Sequence, residues 1–179
     1  MKRMIIVFLV ITLFGCSLTN TPATSVERYL DNYKKVSEDV LMDLEKKVNS
    51  EDLSNMDRER YKNVLIKQYQ DLKYEIKDES IDKDKAEVLV NINVYDLYNV
   101  EEKSNDYLNE HIDEFSNVNK EFDKDLFNRY RINKMLETNN RVDYQILFKL
   151  NKVDGNWIVK ALNRVDLEKI HGLYNSENN

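Results

Sequence analysis

The segment Val142-Asp143-Tyr144-Gln145-Ile146-Leu147-Phe148-Lys149-Leu150, followed by Asn151-Lys152-Val153-Asp154-Gly155-Asn156-Trp157-Ile158, decides the fold. Val142, Tyr144, Ile146, Phe148 and Leu150 recur every second residue, the spacing that lines one face of a strand. Asp154-Gly155 supplies the left-handed backbone of a tight hairpin turn, and Trp157 to Leu162 brings the chain back. The same period appears upstream. Leu72, Tyr74 and Ile76 alternate with Lys73, Glu75 and Lys77. After a polar turn at Asp78 to Lys85, the set Ala86, Val88, Val90, Ile92 and Val94 alternates with Glu87, Leu89, Asn91, Asn93 and Tyr95. Two antiparallel hairpins with one buried face each are expected, together a sheet of about four strands.

Outward from the hairpins the period lengthens to that of a helix. Val26, Tyr29, Leu30, Tyr33, Val36, Val40, Leu41, Leu44 and Val48 mark one amphipathic face about 25 residues long, opened by a capping box at Thr24 and Glu27. After a polar break at residues 49–55, Tyr61, Val64, Leu65 and Tyr69 predict a second helix with Ser54 or Asn55 as its cap. Residues 100–139, between the hairpins, read as helical throughout. As one rod they would reach about 57 Å at 1.5 Å per residue, far beyond a domain with a radius of gyration near 15 Å. A break at Ser116-Asn117-Val118-Asn119 is therefore expected. The chain closes with a short helix, capped by Asp166 and ended by Gly172.

Composition excludes several functions. The chain has 179 residues, room for one folded domain, and its net charge of −6 lacks the basic field that nucleic acid requires. Three Gly and one Pro leave no phosphate-cradling loop, and one Cys leaves no internal disulfide or Cys-built zinc site. His111, within Glu110-His111-Ile112-Asp113-Glu114, has no second His one helical turn on. The acidic run from Asp78 to Asp84 has Lys83 where a calcium loop needs Gly and Leu89 where it needs Glu, so it reads as a solvated turn. No metal or cofactor is expected. His171, beside Gly172, reads as a cation at a helix C-terminus.

The first 16 residues carry the most specific signal. Lys2 and Arg3 precede an 11-residue run from Met4 to Phe14, apolar apart from Thr12, which ends in Leu13-Phe14-Gly15-Cys16. The run is too short to span a bilayer and has the order of a secretory signal. It resembles the bacterial lipoprotein signal, in which the Cys of a Leu-x-Gly/Ala-Cys box is lipidated and cleavage falls just before it. The resemblance implies cleavage between Gly15 and Cys16, lipid on Cys16 and a place on the extracytoplasmic face of the cell membrane. Removing Lys2 and Arg3 leaves 25 of the 27 basic residues against 33 acidic ones, a net charge of −8, so acyl chains rather than charge must hold the domain to lipid. The organisation expected is a signal over residues 1–15, a lipidated tether over 16–23, an α+β domain over 24–174 and a disordered tail over 175–179.

Two N-terminal helices, a curved antiparallel sheet with a helical insert between its hairpins, and the segment Lys152-Val153-Asp154-Gly155-Asn156-Trp157-Ile158 resemble the NTF2-like cone superfamily. In particular, they resemble small Gram-positive lipoproteins that carry such a domain. The resemblance implies a pocket at the open end of the cone, here with Tyr74, Asp96, Tyr144 and Trp157 as candidate residues. It also implies dimerisation through the sheet face. Two functions are then in view. One is a non-catalytic module that binds a small apolar ligand, an envelope protein or a second copy of itself. The other is an isomerase or cyclase using Asp96 as base beside tyrosine donors, as ketosteroid isomerase uses a carboxylate in an apolar cavity.

Overall fold

A computed structural model describes residues 20–175. Cys16, Gly15 and the rest of the signal and lipidation readings lie outside the described residues, as do residues 176–179. The architecture is α+β: six α-helices and a four-stranded antiparallel sheet in the order β1-β2-β3-β4.

The first helical stretch is two helices, not one. α1 (Pro22–Lys34) and α2 (Glu38–Ser50) are separated at Val36, which adopts φ +49°. The Ser37 amide donates to the Asn32 carbonyl and the Val36 amide to that of Tyr33, both at 2.9 Å. These two bonds satisfy the carbonyls at the end of α1 and turn the chain. A β-branched residue at positive φ is rare, so the apolar periodicity running straight through Val36 concealed the break. The capping box also lies one turn earlier than expected. Thr21 Oγ1 accepts from the Thr24 amide (3.1 Å) and Thr24 Oγ1 from the Thr21 amide (3.0 Å), with Pro22 at the first helical position. Asn20 and Thr21, inside the stretch read as tether, thus make ordered contacts with the domain. α3 (Asn55–Gln70) is capped by Ser54 as expected.

β1 (Lys73–Asp82) and β2 (Lys85–Tyr95) form the first hairpin. The polar segment from Asp78 to Asp82, expected as turn, is strand. Only Lys83-Asp84 turn the chain, with Lys83 at φ +55°. A bulge at Lys77, where Ile76 pairs with Val90 but Asp78 with Leu89, resets the alternation so that Glu79 and Ile81 follow Tyr74 and Ile76 on the helix side. With the acidic side chains of an edge strand exposed, nothing in their polarity marks them as strand.

α4 (Leu97–Glu110), a 3-10 turn (Ile112–Phe115) and α5 (Lys124–Glu137) make up the insert, broken at residues 116–119 as expected. Tyr107, Phe115, Phe127 and Tyr130 form an aromatic cluster within it, with ring centroids 5.0 to 6.1 Å apart. β3 (Arg141–Val153) pairs with β2 from Lys85↔Asn151 to Tyr95↔Arg141, and β4 (Asn156–Val159) returns for four residues, stopping short of Leu162. Asp154 and Gly155 have φ +48° and +80°, the turn expected of Asp-Gly.

The inward residues of β2 and β3, Val88, Val90, Ile92, Ile146 and Phe148 among them, are completely buried under the helices. α1 packs across β1, β2 and β4, and α6 (Arg164–His171) against β2 and α3. The cap of α6 is Asn163, whose Oδ1 accepts from the Asp166 amide at 2.9 Å, so Asp166 is the third helical residue and not the cap. Gly172 ends the helix at φ +72°.

Candidate functional site

The four expected pocket residues are not gathered in one place. Tyr144 and Asp96 line one groove of about 280 Å³ together with Tyr98, Glu102 and Tyr174. Tyr74 lies two strands away, since it pairs with Ile92 and Ile92 with Tyr144. Its hydroxyl donates to Asp31 Oδ1 of α1 at 3.1 Å, and burial together with that carboxylate pushes its pKa up to about 12. Trp157 is buried near the far end of the sheet beneath Lys152, whose Nζ sits 5.4 Å from its ring.

Asp96 stands where β2 gives way to α4, and its chemistry there is local. Its Oδ1 accepts from the Asn99 amide at 3.1 Å as the cap of α4, and its own amide donates to the Asn140 carbonyl at 3.0 Å. The Tyr144 hydroxyl is directed elsewhere, donating to the Tyr174 carbonyl at 2.8 Å, and burial with the nearby Asp96 charge pushes its pKa up to about 12. The groove brings a carboxylate and a phenol near one another without a hydrogen bond between them. Its lining is mostly polar.

A larger and more apolar cleft, about 490 Å³, opens between α1, α2, α3 and α6. Tyr33 from α1, Val40 and Leu44 from α2, Tyr69 from α3, and Leu167 and His171 from α6 line it. Tyr69 and His171 meet at 2.9 Å between Oη and Nδ1, and the Tyr33 ring stands edge-on to Tyr69 at 5.2 Å. Burial holds His171 down to about 3, with Lys47 acting in the same direction. The imidazole is therefore neutral at physiological pH, which corrects its reading as a helix-terminal cation. Burial also raises Tyr33 and Tyr69 well above the ordinary phenol range. The floor of the cleft is thus three uncharged aromatic groups able to donate and accept hydrogen bonds.

The charges around this cleft are engaged with one another. Asp43 pairs with Lys46 at 2.9 Å, Lys47 with Glu51 at 3.2 Å and Arg164 with Glu168 at 3.1 Å. Tyr33 and Tyr69 were visible in the sequence as helical core positions, and His171 as the residue before Gly172. That Val40 and Leu44 of α2 join them as a wall of the cleft follows the turn at Val36, which separates α2 from α1, and no periodicity reports that turn. His111, the other histidine, stacks on Tyr107 at 4.2 Å and lies 3.4 Å from Glu114 Oε1 at the end of α4.

The fold places the chain in the α+β class, with helices on one face of an antiparallel meander. Comparison with protein-family models, with curated proteins and with solved structures finds no match to the chain.

Proposed function

We propose that this chain is a lipid-anchored extracytoplasmic protein, held at the cell membrane through acylated Cys16, whose domain is a non-catalytic binding module. Its ligand is a small, uncharged and largely apolar molecule carrying at least one hydrogen-bonding group. The cleft over Tyr33, Tyr69 and His171 is the observation that carries this reading: a concave, mainly apolar site with convergent polar groups is the usual form of a small-molecule pocket. Its floor is neutral and its rim charges are already paired, so an uncharged guest fits it better than an ion. The anchor reading is supported by the Leu13-Phe14-Gly15-Cys16 box after an apolar run. Among the described residues no helix is long and apolar enough to cross a membrane. The arrangement of N-terminal helices, two hairpins and a Trp-bearing second hairpin agrees with an NTF2-like domain.

The rival reading, an isomerase or cyclase acting through Asp96, needs a carboxylate aimed into an apolar cavity. Asp96 is occupied as a helix cap at the edge of a polar groove, and the geometry favours the cleft.

Native mass spectrometry of the protein extracted from its own membrane tests the proposal. A discrete small-molecule adduct is expected on the unaltered protein and is lost in Val40→Lys, which sets an ammonium at the half-buried mouth of the cleft. No adduct, or one that survives Val40→Lys in a folded variant, refutes it.

A further inference from the structure

Asn20, the first described residue, is tied to the far end of the sheet. Its Nδ2 donates to the Gly155 carbonyl at 2.7 Å and to Asn156 Oδ1 at 3.3 Å. Four Cα steps separate Cys16 from Asn20, at most about 14 Å of chain. A bilayer that holds Cys16 must therefore lie close to the β3–β4 turn, whatever course the intervening residues take.

Both hairpin turns meet at this end. Lys85 pairs with Asn151 across β2 and β3, and the Lys152 amide donates to the Asp84 carbonyl at 2.8 Å, linking the Lys83-Asp84 turn to the strand that enters the Asp154-Gly155 turn. Three apolar side chains are left to solvent around the two turns: Ile81 is 57% exposed, Val153 53% and Ile158 53%. The charges there balance, with Lys83, Lys85 and Lys152 against Asp82, Asp84 and Asp154, on a mature chain whose net charge is −8. An electroneutral, apolar lip is the part of an acidic domain that approaches anionic lipid with least repulsion. Its lysines can extend their stems along apolar surface while their ammonium groups reach headgroups.

We propose that this end of the sheet is a membrane-facing surface, on which the domain rests with Ile81, Val153 and Ile158 at the headgroup boundary of the lipid bilayer. The inference depends on the reading of Cys16 as the lipid acceptor. It adds an orientation: β2 and β3 rise from the bilayer, and the end of the sheet at Asn139 and Asn140 lies about 35 Å away along the strands, at about 3.3 Å per residue.

The test uses the full chain, processed and acylated in a bacterial host and reconstituted into vesicles of phosphatidylcholine and phosphatidylglycerol. Ile158→Cys and, separately, Asn139→Cys carry a fluorophore, and quenching by spin labels on lipid headgroups is read. Val153→Cys reads the same surface should labelling at position 158 disturb the edge strand. Quenching several-fold stronger at 158 and 153 than at 139 is expected. Protein that floats with the vesicles but is quenched equally weakly at all positions overturns the seating and leaves the anchor standing. Protein that does not float, or bears no lipid by intact mass, overturns the anchor reading and the seating with it. If position 158 is shielded from aqueous quencher in proportion to protein concentration, with no headgroup quenching, the surface belongs to a second copy of the chain and the proposal falls.

Discussion

Gly172→Ala should be among the most damaging small substitutions in the domain, and Gly155→Ala isolates the reason. Both glycines have positive φ, +72° and +80°, where an L side chain costs roughly 1–2 kcal/mol. At Gly155 a Cβ would meet nothing within 4 Å, so that backbone cost is the whole effect. At Gly172 it would lie 2.1 Å from the Tyr95 carbonyl oxygen and 2.2 Å from Gln68 Nε2. Neither atom is free to move alone. Gln68 is 1% exposed and makes a paired bridge to the end of β2, its Oε1 accepting from the Tyr95 amide at 2.8 Å and its Nε2 donating to the Tyr95 carbonyl at 3.1 Å. Displacing it strands buried polar groups at about 1–3 kcal/mol, and forcing helix from strand adds about 1–3 kcal/mol of overpacking. With the backbone strain the total is about 3–8 kcal/mol, about 2–6 kcal/mol more than at Gly155, a large share of a typical stability of about 5–15 kcal/mol. In urea, with a slope near 2 kcal/mol per molar, Gly172→Ala should lower the unfolding midpoint by about 1.5–4 M, and Gly155→Ala by about 0.5–1 M. Equal shifts for the two variants would refute the claim that close packing of α6 on the end of β2 and on α3 requires a glycine.

Other consequences are independent of that one. The unfolded chain protonates His171 near pH 6.5, whereas the folded chain resists until about 3, so stability due to this residue is full above pH 6.5 and falls as the pH drops toward 3, by up to about 1.4 kcal/mol per pH unit. His171→Gln should accordingly lose less stability than the parent between pH 7 and pH 4, measured by denaturant unfolding at each pH; parallel losses would show that His171 is not held neutral. Phe148→Ala, at a fully buried side chain 5.8 Å ring-to-ring from Tyr29, should cost about 3–5 kcal/mol, while Leu147→Ala on the opposite face, 44% exposed, should cost less than about 1 kcal/mol. Asn163→Ala should cost about 1 kcal/mol through loss of the cap on α6; a thermal melt unchanged from the parent would return the capping role to another residue.

What was legible in the sequence follows from which signals are local. The alternation of β2 and β3 is plain in the sequence because both strands bury one face, which forces a period of two on them. β1 is legible only as far as Lys77 because its remainder is a largely exposed edge after a bulge, where burial imposes no pattern on Asp78 to Asp82. The three-residue break between α1 and α2 is hidden for the opposite reason: Val36 is apolar and in phase with the helix face, yet it takes the left-handed conformation usually left to glycine. That turn was decisive for the site. It sets α2 against α3, opening the cleft at Tyr33, Tyr69 and His171, whereas the acid singled out for its apolar neighbours, Asp96, is spent on a helix end. Residue type at Asp96 could not separate a base from a cap, because the distinction lies in which backbone amide the carboxylate meets.

The account depends most on the state of Cys16, and mass analysis of the N-terminal peptide of the protein taken from its native membrane addresses it directly. The expected peptide begins at Cys16 and carries the mass of a diacylglyceryl thioether, and Cys16→Ser abolishes both the lipid and the cleavage. A mature chain that begins at Met1, or that carries Cys16 as a free thiol, would contradict the anchor, and with it the orientation of the sheet toward the bilayer.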